Sequence, residues 1–225
     1  MAQAGIHALL GAALQKRIQE RELLLVGVLL GNLFPDADNL AVAFATITGR
    51  STEGLHRTFS HSFFPALGVS LLFYFVGWVT KRPVWGNLGL GLGIGIVMHI
   101  LVDLMVWFDG VEVFWPLPSR VNLWGKVTPP IWWGKLMMPL EFLFMALFFV
   151  VLGNWARKTG KNQDYLPKLR IWVSLLVGLF FLFTGLVYLM ESGFMILFGA
   201  LYLAALGLGI GVTIRMRSTI EGITR

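Results

Sequence analysis

The chain has 225 residues, 56% hydrophobic and only 13% charged, with a mean hydropathy of +0.74 and a formal net charge of +6. Soluble domains are roughly 45–50% apolar and about 25% charged, so this composition excludes an ordinary water-soluble domain and points to a single integral membrane domain over residues 1–225. The absence of cysteine excludes disulfides and thiolate metal sites, and in such a chain positive charge reports orientation, so no nucleic-acid partner is expected.

Taken in order, the chain opens with MAQAGIHALLGAAL, which has no basic stretch before its apolar run and so does not read as a cleavable signal peptide. Two short apolar segments, about 4–15 and 22–34, flank the charged link QKRIQERE and predict an N-terminal helical hairpin. A membrane-spanning helix needs about 20 mostly apolar residues. Five later runs meet that need, at about 62–80, 86–108, 136–154, 171–190 and 193–214. The expected fold is therefore all-α, a polytopic membrane bundle of five full transmembrane helices plus the hairpin. Segments 35–61 and 109–135 read as long loops, the second with tryptophans 115, 124, 132 and 133 suited to a membrane interface. Glycines 89, 91, 93 and 95, and again 207, 209 and 211, predict close helix approaches.

Lysine and arginine set the orientation. Lys16, Arg17, Arg21, Lys81, Arg82, Arg157, Lys158, Lys161, Lys168, Arg170, Arg215, Arg217 and Arg225 fall on one side, against Arg50, Arg57, Arg120, Lys126 and Lys135 on the other. The positive-inside rule makes the richer side cytoplasmic. The N-terminus and both long loops are then expected outside and the C-terminus inside.

This topology gathers the polar residues. His7 begins the first arm, Asp36 and Asp38 follow the second, His56 and His61 close the next loop, and His99 and Asp103 lie four apart near the outer end of their helix. Positions i and i+4 share a helix face. All four histidines and three aspartates therefore reach one level, in the outer half of the membrane. Without cysteine, imidazole and carboxylate are the usual ligands of zinc and similar cations, and seven such groups suffice for one or two Zn2+ ions. A cation also offsets the cost of a membrane-embedded carboxylate such as Asp103, about 2.5–3.5 kcal/mol at the bilayer centre.

The order His7-x3-Gly11, LFPDADN, HRTFSHS, HILVD and WPLP resembles the YdjM-like family of bacterial inner-membrane proteins, described as metal-dependent hydrolases and distantly similar to zinc-dependent phospholipase C and nuclease proteins. The resemblance covers about residues 5–118, the metal-site half, and leaves residues 119–225 as outer loop and C-terminal helices. It implies metal ligation by His7, Asp36, Asp38, His56, His61, His99 and Asp103. It further implies hydrolysis of a phosphoester without naming the substrate, and a site at the outer membrane face suits a lipid-linked or amphiphilic one, with membrane lipids as partners. On this reading the aspartate of the Asp36/Asp38 pair left outside the metal shell is the general base, and Arg57 neutralises a phosphate oxygen, with Arg120 a weaker candidate.

Each feature has a plainer reading. Asp36 and Asp38 suit a turn after Pro35, His99 with Asp103 suits a rigidifying pair, and Arg57 suits a solvated loop charge. A metal or proton transporter, a haem protein, and a scaffold with a structural metal also remain open. A phosphohistidine lipid phosphatase is disfavoured, because GLGLGIGIVM before His99 holds no arginine. Glu141 and Glu191 receive no chemical role; Glu141 is expected to face the outer loops.

Overall fold

The computed structural model describes residues 4–18, 20–118, 120–190 and 193–224; Glu191 and Arg225 lie outside them. Helices α1 (Ala4–Ala13) and α2 (Leu24–Leu33) form the expected hairpin. A short 3-10 turn, Pro35–Asp38, leads directly into α3 (Asn39–Ile47). Helices α4 (Phe63–Val79) and α5 (Pro83–Val106) form a second hairpin. After a two-residue β-ribbon (Val111–Glu112 with Arg120–Val121) come α6 (Ile131–Thr159), α7 (Leu166–Leu189), α8 (Met195–Arg215) and α9 (Arg217–Ile223). The protein is an all-α, multi-pass helical membrane protein.

Five segments are long and apolar enough to cross a membrane: Leu24–Ile47, Pro83–Val106, Ile131–Thr159, Gln163–Leu189 and Met195–Arg215. Four of them cover expected runs, and the fifth, Leu24–Ile47, stands in for the run expected at 62–80. The segment at Phe63–Val79 has 17 residues, about 26 Å at 1.5 Å per residue, against a hydrocarbon core of about 30 Å. In its place the second arm of the first hairpin continues through the Pro35–Asp38 turn and α3. The reason is local. Pro35 tightens the chain into a 3-10 turn without ending it, and the apolar run NLAVAFATI resumes helical structure where a loop was expected.

Glycine decides how the hairpins meet. A Cβ at Gly31, Gly91 or Gly95 would fall onto the backbone carbonyl of Leu92, Leu24 or Val28 respectively, so α2 and α5 touch backbone to backbone. Gly89 and Gly93 do the same service on the opposite face of α5, against Phe73 and Ser70 of α4. In lipid, where side-chain burial drives little helix association, such approach supplies the van der Waals contact that does. In the last helix only part of the expectation holds: Gly209 sits against Met145, whereas Gly207 and Gly211 face open space.

The linkers at residues 14–23, 80–82 and 160–165 and the C-terminal helix share one end of the bundle. There Arg217 pairs with Glu22 at 3.0 Å and Arg215 with Asp164 at 3.1 Å. The conserved arithmetic of up-and-down helices places the start of α1, the end of α2, the start of α4, the end of α5 and the start of α6 at the other end.

Candidate metal centre

His99 and Asp103 lie one turn apart on α5, both buried. Because α2 lies flush on α5, the Asn32 carbonyl at the end of α2 reaches His99 Nδ1 at 2.7 Å. That contact sets the tautomer: Nδ1 carries the proton and donates, leaving the Nε2 lone pair free. The Pro35–Asp38 turn then swings Asp36 inward to zero exposure and leaves Asp38 nearer the surface. A second 3-10 turn, Phe59–His61, brings in His61. His61 Nδ1 stands 3.3 Å from Asp38 Oδ2, so its Nε2 also points inward.

Four atoms converge. His61 Nε2 and His99 Nε2 are 3.1 Å apart. His61 Nε2 lies 3.9 Å from Asp36 Oδ1 and 3.5 Å from Asp103 Oδ2. His99 Nε2 lies 3.7 Å from Asp36 Oδ1 and 3.9 Å from Asp103 Oδ2. Ligands about 2.0–2.1 Å from a tetrahedral ion stand roughly 3.3 Å from one another, and these separations bracket that spacing. Both Asp36 oxygens are buried without a hydrogen bond of ordinary geometry. An ionised carboxylate without compensation is costly at such a site, and a cation between two carboxylates and two neutral imidazoles provides that compensation. The donor set, all nitrogen and oxygen, suits zinc and its first-row neighbours equally.

The remaining predicted residues surround this set. His7 stacks on His99 with ring centroids 3.6 Å apart, and its Nε2 is 3.2 Å from Asp103 Oδ1. His7, His99 and Asp103 thus form a second combination able to hold an ion, and Asp38, His56 and His61 a third. His56 donates from Nδ1 to Asp38 Oδ1 at 2.8 Å if protonated there, while its Nε2 is buried without a partner. Burial lowers the His56 pKa, and Asp38 partly opposes the shift, so the ring favours its neutral form. Ser60 completes the hold on Asp38, donating to Oδ2 at 2.7 Å.

Arg57 is not a solvated loop charge. It is buried, its Nε is 3.2 Å from Asp103 Oδ2, and its guanidinium lies over Trp107 at 5.1 Å. Its backbone takes the left-handed conformation (φ 59), uncommon for a residue with a Cβ, which turns the side chain inward. Arg120 is exposed on the β-ribbon and donates to the Asp109 carbonyl; it does not reach the cluster directly, but borders Asp109, which Arg57 Nη1 meets at 3.4 Å.

Two further residues are unexpected. Glu141 does not face the outer loops. It is fully buried on α6, and both its oxygens accept from the Gly5 N–H, at 3.1 and 3.0 Å, capping the start of α1 two residues before His7. Tyr202 is buried on α8, its hydroxyl without a hydrogen-bond partner of ordinary geometry. Each sits in a mostly apolar stretch of its helix. Only the glutamate's charge within a hydrophobic run marked it out in sequence.

Asp38 holds His61 in register rather than joining the four-atom set. Asp38→Asn is expected to weaken metal binding about 10–100-fold, the usual cost of losing a carboxylate behind a ligating histidine, measured by competition with a chelator of known affinity. Unchanged affinity would show that His61 needs no such support.

No curated protein and no solved structure matches this chain. A family model described as YdjM inner membrane protein matches residues 1–191, which takes in every residue of the cluster and Glu141 but stops short of Tyr202. The chain therefore belongs to the YdjM inner membrane protein family.

Proposed function

We propose that this protein is a membrane-embedded, metal-dependent hydrolase acting on a phosphoester at the extracytoplasmic face. The observation that carries the reading is a pair of inward-facing imidazole Nε2 atoms 3.1 Å apart, each with an Asp36 and an Asp103 oxygen 3.5–3.9 Å away, in a cluster that is buried except on one side. That side is formed by Asp38 and His56, whose side chains keep 12% and 19% of their exposure. A purely structural site is normally closed on all sides, whereas a catalytic one keeps a position for substrate.

His61, His99, Asp36 and Asp103 would hold the ion, zinc or another first-row divalent cation. A bound divalent cation supplies Lewis acidity and brings the pKa of water toward about 7. The chain's own residues do the rest. Asp38 engages His56, Ser60 and His61, so its lone pairs are largely committed. The proton-accepting role therefore passes from this aspartate to the His56 Nε2 atom, which is unpartnered and neutral. Asp38 holds that ring from behind, as a carboxylate orients a general-base histidine. Arg57 balances the charge of Asp103 and places a planar, permanently charged donor beside the site, suited to a developing phosphate oxyanion.

The test is turnover of bis(p-nitrophenyl) phosphate by purified protein in lipid nanodiscs, with Zn2+ or Mn2+ added. Hydrolysis that requires the cation and falls about 100-fold or more in His56→Ala, in the range of a lost general base, supports the reading. Stoichiometric metal without hydrolysis of this or a matching monoester overturns it in favour of a structural ion.

A further inference from the structure

Beside the cluster runs an apolar groove of about 510 Å³. Its walls include Phe34, Phe59, Phe64, Leu72, Ile96 and Trp115. Phe34 lies two residues before Asp36, and Ile96 lies three residues before His99 on α5. The Phe59 and Trp115 rings meet edge to face at 5.3 Å and fix one wall. Ser60 is the polar residue at its head. The same Ser60 hydroxyl donates to Asp38 at 2.7 Å and lies 2.9 Å from His61 Nδ1. The groove therefore joins the metal cluster at the side where Asp38 and His56 are partly exposed.

From this head the groove follows α4 from Phe64 to Leu72, eight residues or about 12 Å along the helix axis, away from the cluster. Gly68 lies midway. A Cβ added there would meet no atom within 4 Å, so the missing side chain keeps the channel open. The groove is apolar along its length and meets the metal cluster at Ser60, which it shares with Asp38. An amphiphile has the matching pattern. Ordinary bilayer lipid would fit any apolar face, but nothing else about that face would lead it to a cluster of two imidazoles and two carboxylates.

We infer that the groove holds the hydrocarbon chain of the substrate, so that the molecule hydrolysed is a phosphate-bearing lipid whose ester lies at Ser60 and whose chain lies along α4. This rests on the hydrolase reading for the chemistry, but not for the binding. Lipid capture and turnover are therefore measured separately.

The probe is a phosphatidic acid carrying a diazirine at the end of one acyl chain, photolysed with the protein in nanodiscs. Labelling is expected on the peptides holding Phe34 and Phe59–Leu72, and to be displaced by unlabelled dioctanoyl phosphatidic acid. Gly68→Phe, whose Cβ meets no protein atom within 4 Å and whose ring would fill the channel, is expected to cut that labelling at least fivefold with bound metal per chain unchanged. Gly207→Phe, an equally open position on α8, is expected to leave it intact. Labelling that cannot be displaced, that spreads equally over α7 and α8, or that ignores Gly68→Phe identifies bilayer lipid only and overturns the inference. Displaceable, Gly68-sensitive labelling without any ester cleavage upholds the groove as a lipid site and overturns the hydrolase reading alone. Cleavage of bis(p-nitrophenyl) phosphate without groove labelling does the reverse.

Discussion

His99→Ala is expected to empty the metal centre. The imidazole supplies one of four converging atoms, stacks on His7 and anchors to the Asn32 carbonyl. Its removal takes away a ligand and also loosens two neighbours. Losing an outer partner alone costs roughly 10–100-fold in metal affinity; losing the ligand itself is expected to exceed about 100-fold. Elemental analysis of purified protein, wild type beside variant, reads the result directly. Metal content in His99→Ala equal to wild type would remove the site, and the hydrolase reading with it. His56→Ala is the informative companion. Its Nε2 lies outside the four-atom set, so the metal is expected to remain while hydrolysis is lost.

The second large effect is expected far from any polar group. Gly95→Leu puts a branched side chain where the α2 backbone at Val28, Gly31 and Asn32 already stands. Overpacking costs about 1–3 kcal/mol when side chains can yield; here the obstacle is backbone, and the helices must part. A drop of roughly 10 °C in the thermal midpoint follows for a chain of this size, with loss of metal because Asn32 and His99 separate. Gly207→Leu, on an open face of α8, is expected to stay within about 2 °C of wild type on the same scale. Equal behaviour of the two variants, followed by fluorescence-detected unfolding in detergent, would rule out the backbone contact between α2 and α5.

Much of the site was legible before any coordinates. His99 and Asp103 at i and i+4 had to share a face, and alternating helix directions had to bring His7, Asp36, Asp38, His56 and His61 to the same level. The glycine ladder of α5 likewise announced two close contacts, and the structure contains both. What escaped was rotational. Helices as apolar through their central turns as α8 around Tyr202 and α6 around Glu141 carry no periodic signal of which side faces inward. The division between Asp36 and Asp38 was equally hidden. They are two residues apart, and only the 3-10 turn after Phe34 sends one into the cluster and leaves the other behind His61. The helix Asn39–Ile47 is hidden in sequence because Pro35 and two aspartates ahead of it match the opening of a loop, although the apolar run after them is helix-competent.

Composition and charge, by themselves, determined that this chain lives in a membrane as a helical bundle and which polar side chains share one end of it. Hydrocarbon leaves a backbone few choices, and each crossing reverses direction. Tertiary structure alone decided which nitrogen of each imidazole faces the cluster, which aspartate lies buried within it and which stands behind His61, and that Ser60 lines an apolar groove. Those outcomes depend on how each helix turns about its own axis and how closely it meets its neighbour. Both are settled by contacts between residues dozens of positions apart, such as Gly31 with Leu92 and Asn32 with His99.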